Sequence, residues 1–106
     1  MQNPVKILRV NGVEYNSNRD PQFYRRLPKQ PFQIQAVLGG KGTVSVKFEA
    51  EGKVVAEKSV TLPGKFDCSV TFDTPATRIG VLTVQMGTEK IQRSIRLDVL
   101  DHAWIG

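Results

Sequence analysis

Residues 42–74 of this 106-residue chain, GTVSVKFEAEGKVVAEKSVTLPGKFDCSVTFDT, hold three successive runs in which apolar and polar residues alternate. A period of two is the spacing of a strand with one face in a core and the other in water. In the first run Val44, Val46, Phe48 and Ala50 alternate with Thr43, Ser45, Lys47 and Glu49. Glu51-Gly52 follows, and glycine in a two-residue connection supplies the positive φ that a tight hairpin needs. The second run puts Val54, Ala56, Val60 and Leu62 on one face, with Glu57, Ser59 and Thr61 on the other, and Pro63-Gly64 closes it as a turn. The third sets Phe66, Cys68, Val70 and Phe72 inward against Asp67, Ser69, Thr71 and Asp73. Slipping that strand by one residue would move two phenylalanines into water, so its register is strongly specified.

The same period runs through the rest of the chain. Val5 to Val10 reads as a strand with mixed faces, since Ile7 and Leu8 are neighbours and both apolar. Asn11-Gly12 then leads into Val13-Glu14-Tyr15, a strong short-range hairpin signal. Phe32, Ile34, Ala36 and Leu38 mark a strand that Gly39-Gly40 ends. After a loop at 74–78, Leu82, Val84 and Met86 alternate with Val81, Thr83 and Gln85. Residues 90–100 form the longest alternating run, with Ile91, Ile95, Leu97 and Val99 facing in. No segment has a helical period, and turn signals recur roughly every ten residues, the spacing of an all-β sandwich or barrel. Counting the N-terminal hairpin as two strands gives eight. The length fits one domain: a hairpin at 1–16, a loop at 17–31, a core at 32–100 and a tail at 101–106.

Two charges stand in phase with apolar residues: Lys58 with Ala56 and Val60, and Arg93 with Ile91 and Ile95. Each either guards a sheet edge by pointing inward or lies beyond the core and reaches back to water. A bulge resetting the face near Lys58 is a third arrangement.

The run at 42–74, followed by IGVLTVQMG, resembles bacterial immunoglobulin-like modules of the CARDB type. The shared pattern is a valine-rich strand, a glycine turn of the EGKVV kind, a second strand ending in a small turn, a VTF strand, and a closing strand before a glycine. It spans roughly residues 32–100. The resemblance implies an immunoglobulin-like antiparallel β-sandwich of seven to eight strands and a binding or spacer role, with no catalytic residues. The hairpin and the loop at 17–31 are additions to that pattern. The Cys…Trp…Cys spacing of antibody domains is absent, because the chain has one Cys and one Trp.

Charge is unevenly spread. Residues 1–53 hold nine Lys and Arg against four Asp and Glu, and residues 54–106 hold six against six, so the whole net charge of +5 lies in the first half. Much of it is in the loop, where Arg19, Arg25, Arg26 and Lys29 surround Phe23 and Tyr24. Guanidinium groups recognise phosphate and carboxylate, and exposed aromatics stack on bases or anchor a protein. The competing reading is a crossover whose aromatics cap the core while its charges face water. A second candidate contact is Trp104 in the tail, which either folds back or docks on a partner.

Catalytic chemistry finds little support. The only histidine, His102, sits near the C-terminus, and no G-x-S-x-G nucleophile motif is present. One His and one Cys cannot supply a zinc or blue-copper ligand set. Gly39-Gly40-Lys41-Gly42 lacks the spacing of a P-loop and leads into a strand. Cys68, alone, has no disulfide partner within the chain and is expected to be a small buried hydrophobe. No apolar run reaches 18 residues and the N-terminus does not read as a signal peptide, so a cytoplasmic location or an excised mature form is expected, with no membrane contact. The expected function is a non-enzymatic protein-interaction or structural module without cofactors, whose partner is an unknown protein or a second copy. The alternative is nucleic-acid or polyanion binding through residues 19–29.

Overall fold

The computed structural model describes residues 3–15 and 26–99. Among them are six strands and no helix: β1 (Val5–Val10), β2 (Val13–Glu14), β3 (Phe32–Ala50), β4 (Lys53–Val70), β5 (Ala76–Met86) and β6 (Glu89–Val99). All pairings between these strands are antiparallel, and they form one curled sheet in the order β2-β1-β3-β5-β6, with β4 along the other side of β3. No helix among the described residues is long and apolar enough to cross a membrane.

The hairpins form where the dipeptides demand them. Asn11 and Gly12 have φ of 56° and 82°, and Glu51 and Gly52 have 54° and 76°. Positive φ at both central residues matches the right-handed twist of the flanking strands. The expected strand ends at Gly39-Gly40 and Pro63-Gly64 are different. Both lie inside long strands, so four expected strands are two, and six replace eight. The β3–β4 ladder passes from Leu38↔Gly64 to Gly42↔Leu62, leaving residues 39–41 opposite Pro63 alone. Extra residues on one strand bend it instead of ending it, and Gly40 and Gly42, at φ 111° and 97°, take conformations that side chains resist. Proline is tolerated because no described strand pairs with the outer side of β4.

Each long strand therefore has two arms. The 32–38 arm of β3 lies between β1 and the 64–70 arm of β4; its 42–50 arm lies between the 53–62 arm of β4 and β5. Inner residues of all these segments meet in one core: Phe32, Ile34, Leu38, Val44, Val46, Phe48, Phe66, Leu82, Val84, Ile95 and Leu97 are each at most 1% exposed. Burying a large side chain contributes about 1.5–3 kcal/mol, so this layer dominates the stability. Gly80 belongs to it by lacking a side chain: a Cβ there would fall 2.5 Å from Cζ of Phe48.

Two bulges correct the face assignments. The β1–β3 register shifts between Val5 and Ile7, which lets Val5 and Leu8 both face the core and accounts for the mixed pattern. A second shift separates Phe48↔Ala56 from Glu49↔Val54. It turns Val54, expected inward, onto the outer face, where it is 54% exposed.

Candidate functional site

Of the loop and tail residues singled out from sequence, Arg19, Phe23, Tyr24, Arg25 and Trp104 lie outside the described residues. Arg26 and Lys29 are described, and the main chain pins both. The Arg26 amide donates to Asp98 O at 3.1 Å and its Nε to Pro31 O at 3.1 Å. Its guanidinium is thus tied to the loop's own backbone. The Lys29 amide donates to Phe72 O at 2.8 Å, while its side chain is exposed. Lys29 has φ 70°, a left-handed conformation held by the Leu27–Gln30 turn around it.

This anchoring closes one edge of the sheet. β6 carries Arg26 beside Val99 as an isolated bridge, and the Arg96 amide donates to the Tyr15 hydroxyl at 3.1 Å. Asp98, 4% exposed, accepts from Thr77 Oγ1 at 2.8 Å and Arg96 Nε at 3.0 Å. Satisfied in this way, a buried carboxylate stitches β5 to β6.

The sequence predicts a loop at 74–78, whereas Arg78 lies at the start of β5. In the structure its guanidinium stacks on Phe72, 4.4 Å from the ring centroid. It donates to Glu51 Oε1 and, at 3.0 and 2.9 Å, to Thr74 O and Oγ1. Phe72 in turn meets Phe32 edge-on, with centroids 6.1 Å apart. A basic residue at the start of a strand, with an acid in the preceding hairpin, is the available signal.

No described strand pairs with the outer side of β4 over its 18 residues. Its two arms differ. In the 53–62 arm Lys58 pairs with the fully buried Val46 and so points to the core side, yet it is exposed at the rim. Both readings of Lys58 meet there, an inward charge on an edge strand that also reaches water; Arg93 is half-buried on the same face of β6, opposite Leu82. The 64–70 arm has neither proline nor an inward charge. Its inner row, Cys68 and Val70, is half-buried beside the buried Ile34 and Phe32. The Cys68 thiol is pushed up from 9.0 to about 11, chiefly by burial and secondarily by the Asp67 carboxylate. A thiol so raised is a poor nucleophile at neutral pH. Among the described residues no group of three His, Cys, Asp or Glu is placed to hold a metal ion.

Comparison of the chain with protein-family models, curated proteins and solved structures finds no match.

Proposed function

We propose that the chain is a non-enzymatic, immunoglobulin-like interaction module that pairs with a second copy of itself along the 64–70 arm of β4. The observation that carries this reading is the half-exposed apolar row on that arm, next to an edge with no strand partner among the described residues. Antiparallel pairing about Cys68 sets Phe66 opposite Val70 and Asp67 opposite Ser69 in both directions. Apolar side chains then meet apolar ones, and no like charges stand directly opposed. The guarded 53–62 arm would confine pairing to one short segment.

Support for the sandwich reading comes from the arms. Taken separately they give eight segments, β2-β1-β3-β4 along one set of arms and β4-β3-β5-β6 along the other, whose inner residues share one core. β3 and β4 run through both sets in a single curled sheet, a departure from two independent sheets.

Sedimentation velocity from micromolar to millimolar protein tests the proposal. A concentration-dependent dimer is expected that Ser69→Asp weakens with thermal stability kept, because Ser69 is exposed and the new carboxylate would stand opposite Asp67 of the second copy. A monomer throughout, or a dimer unaffected by Ser69→Asp, overturns it. The polyanion alternative has Lys29 exposed but Arg26 engaged with Pro31 O. Heparin binding that falls steeply with salt and is lost in Arg26→Ala would favour that alternative.

A further inference from the structure

Among the described residues, β3 has no strand neighbour on one side at its bend. The last β1 pair is Val5↔Leu38, the Gly39 amide still donates to Pro4 O at 2.9 Å, and the first β5 pair is Ser45↔Gln85, so residues 40–44 face a seam between β1 and β5. On the β4 side the ladder also skips residues 39–41. A cleft of about 290 Å³ opens in this seam, near the lower end of the range for small-molecule sites.

Its lining is chemically divided. Lys6 and Lys41 contribute cationic side chains, and Leu62 and Met86 contribute an apolar wall. Lys6 is the residue at the β1 register shift, which turns it out of the strand's regular alternation. Its aliphatic stem crosses Gly39 so closely that a Cβ there would fall 2.8 Å from Lys6 Cε. Glycine at this position makes room for the lysine over the cleft. Glu89 also lines the cleft, so two lysines and one glutamate are among its lining residues, an excess of basic over acidic residues. Among the described residues neither lysine makes an ion pair.

We propose that this seam binds a small oxyanion carrying a short apolar body, with Lys6 and Lys41 on the anionic group and Leu62 and Met86 against the body. A phosphate monoester and a carboxylate share that chemistry. The cleft takes Leu62 from β4 but no residue of its 64–70 arm and none of the basic loop. It does not depend on the self-association proposed above.

The test is an amide NMR titration of the full chain at low salt with phenyl phosphate, hexanoate and inorganic phosphate. Saturable shifts centred on Gly40, Lys41 and Met86 are expected, with the two organic anions binding more tightly than inorganic phosphate. Lys6→Gln and Lys41→Gln should each weaken binding about tenfold, and Lys90→Gln should leave it unchanged. Lys41 is exposed, so Lys41→Gln remains informative if Lys6→Gln disturbs folding. Shifts without saturation, shifts spread over the surface, inorganic phosphate binding as tightly as the organic anions, or affinity unchanged in Lys41→Gln would overturn the proposal.

Discussion

The Arg78 guanidinium lies 4.4 Å above the centroid of the Phe72 ring and binds Thr74 through two further donors, so one side chain ties the start of β5 to the end of β4. The side chain is only 9% exposed, whereas its Glu51 partner is 54% exposed. An ion pair with an exposed acid is worth little. The stacking and the two bonds to Thr74 therefore carry most of the effect.

Replacing Arg78 with Ala should cost about 2–3 kcal/mol, which lowers the melting temperature by roughly 10 °C or more. Arg78→Lys keeps the charge but not the planar fork and should recover only part of the loss. A melting temperature within a degree or two of the parent would contradict this assignment. Glu51→Gln should be nearly silent.

Gly80→Ala should destabilise by about 1–3 kcal/mol, the usual range for overpacking. The new methyl would meet Phe48 Cζ at 2.5 Å and Leu97 Cδ1 at 3.3 Å. Adding Phe48→Leu should relieve part of the penalty, so the two substitutions are non-additive. Urea denaturation at constant m reads both effects. Strict additivity would mean that the backbone at Gly80, rather than the ring above it, sets the cost.

Much of this architecture was legible because local chemistry determined it. Asn11-Gly12 and Glu51-Gly52 make two-residue turns whatever surrounds them, and the alternation of 90–100 fixed which face of β6 is buried. At Gly39-Gly40 and Pro63-Gly64 the expected strand ends differ from the structure because Gly-Gly and Pro-Gly look alike whether a strand turns back or bends. What decides is how many residues stand opposite, three against one here, and that is a property of two strands together. Val54 was misplaced for the same reason.

The candidate site was legible only in part. Arg26 and Lys29 stood out by charge, but the acceptors that hold Arg26, Asp98 O and Pro31 O, are main-chain atoms with no signature in a side-chain pattern. Arg78 meets Glu51 across 27 residues, a separation that periodicity does not register. Cys68 was placed correctly on the inner face. Its half exposure goes with an edge that has no strand partner among the described residues, which composition cannot reveal.

Cys68 should be alkylated slowly by iodoacetamide at neutral pH, with the rate rising towards half-maximum near pH 11 instead of the ordinary 9.0. The folded state holds this proton more tightly than the unfolded chain. Its contribution to stability is therefore complete below the unfolded value of 9.0 and is lost as pH rises towards about 11. The pH profile of stability should fall less steeply through that window in Cys68→Ser. A half-maximal alkylation rate at the ordinary value would show the thiol to be solvated.

The most direct test of the account is amide hydrogen exchange along β4, measured at micromolar and at millimolar protein. Pairing through the 64–70 arm predicts that outward-facing amides there slow by about tenfold or more at the higher concentration, while the 53–62 arm and β6 stay unchanged. Exchange along the whole of β4 that is independent of concentration, or protection confined to the 53–62 arm, would contradict it.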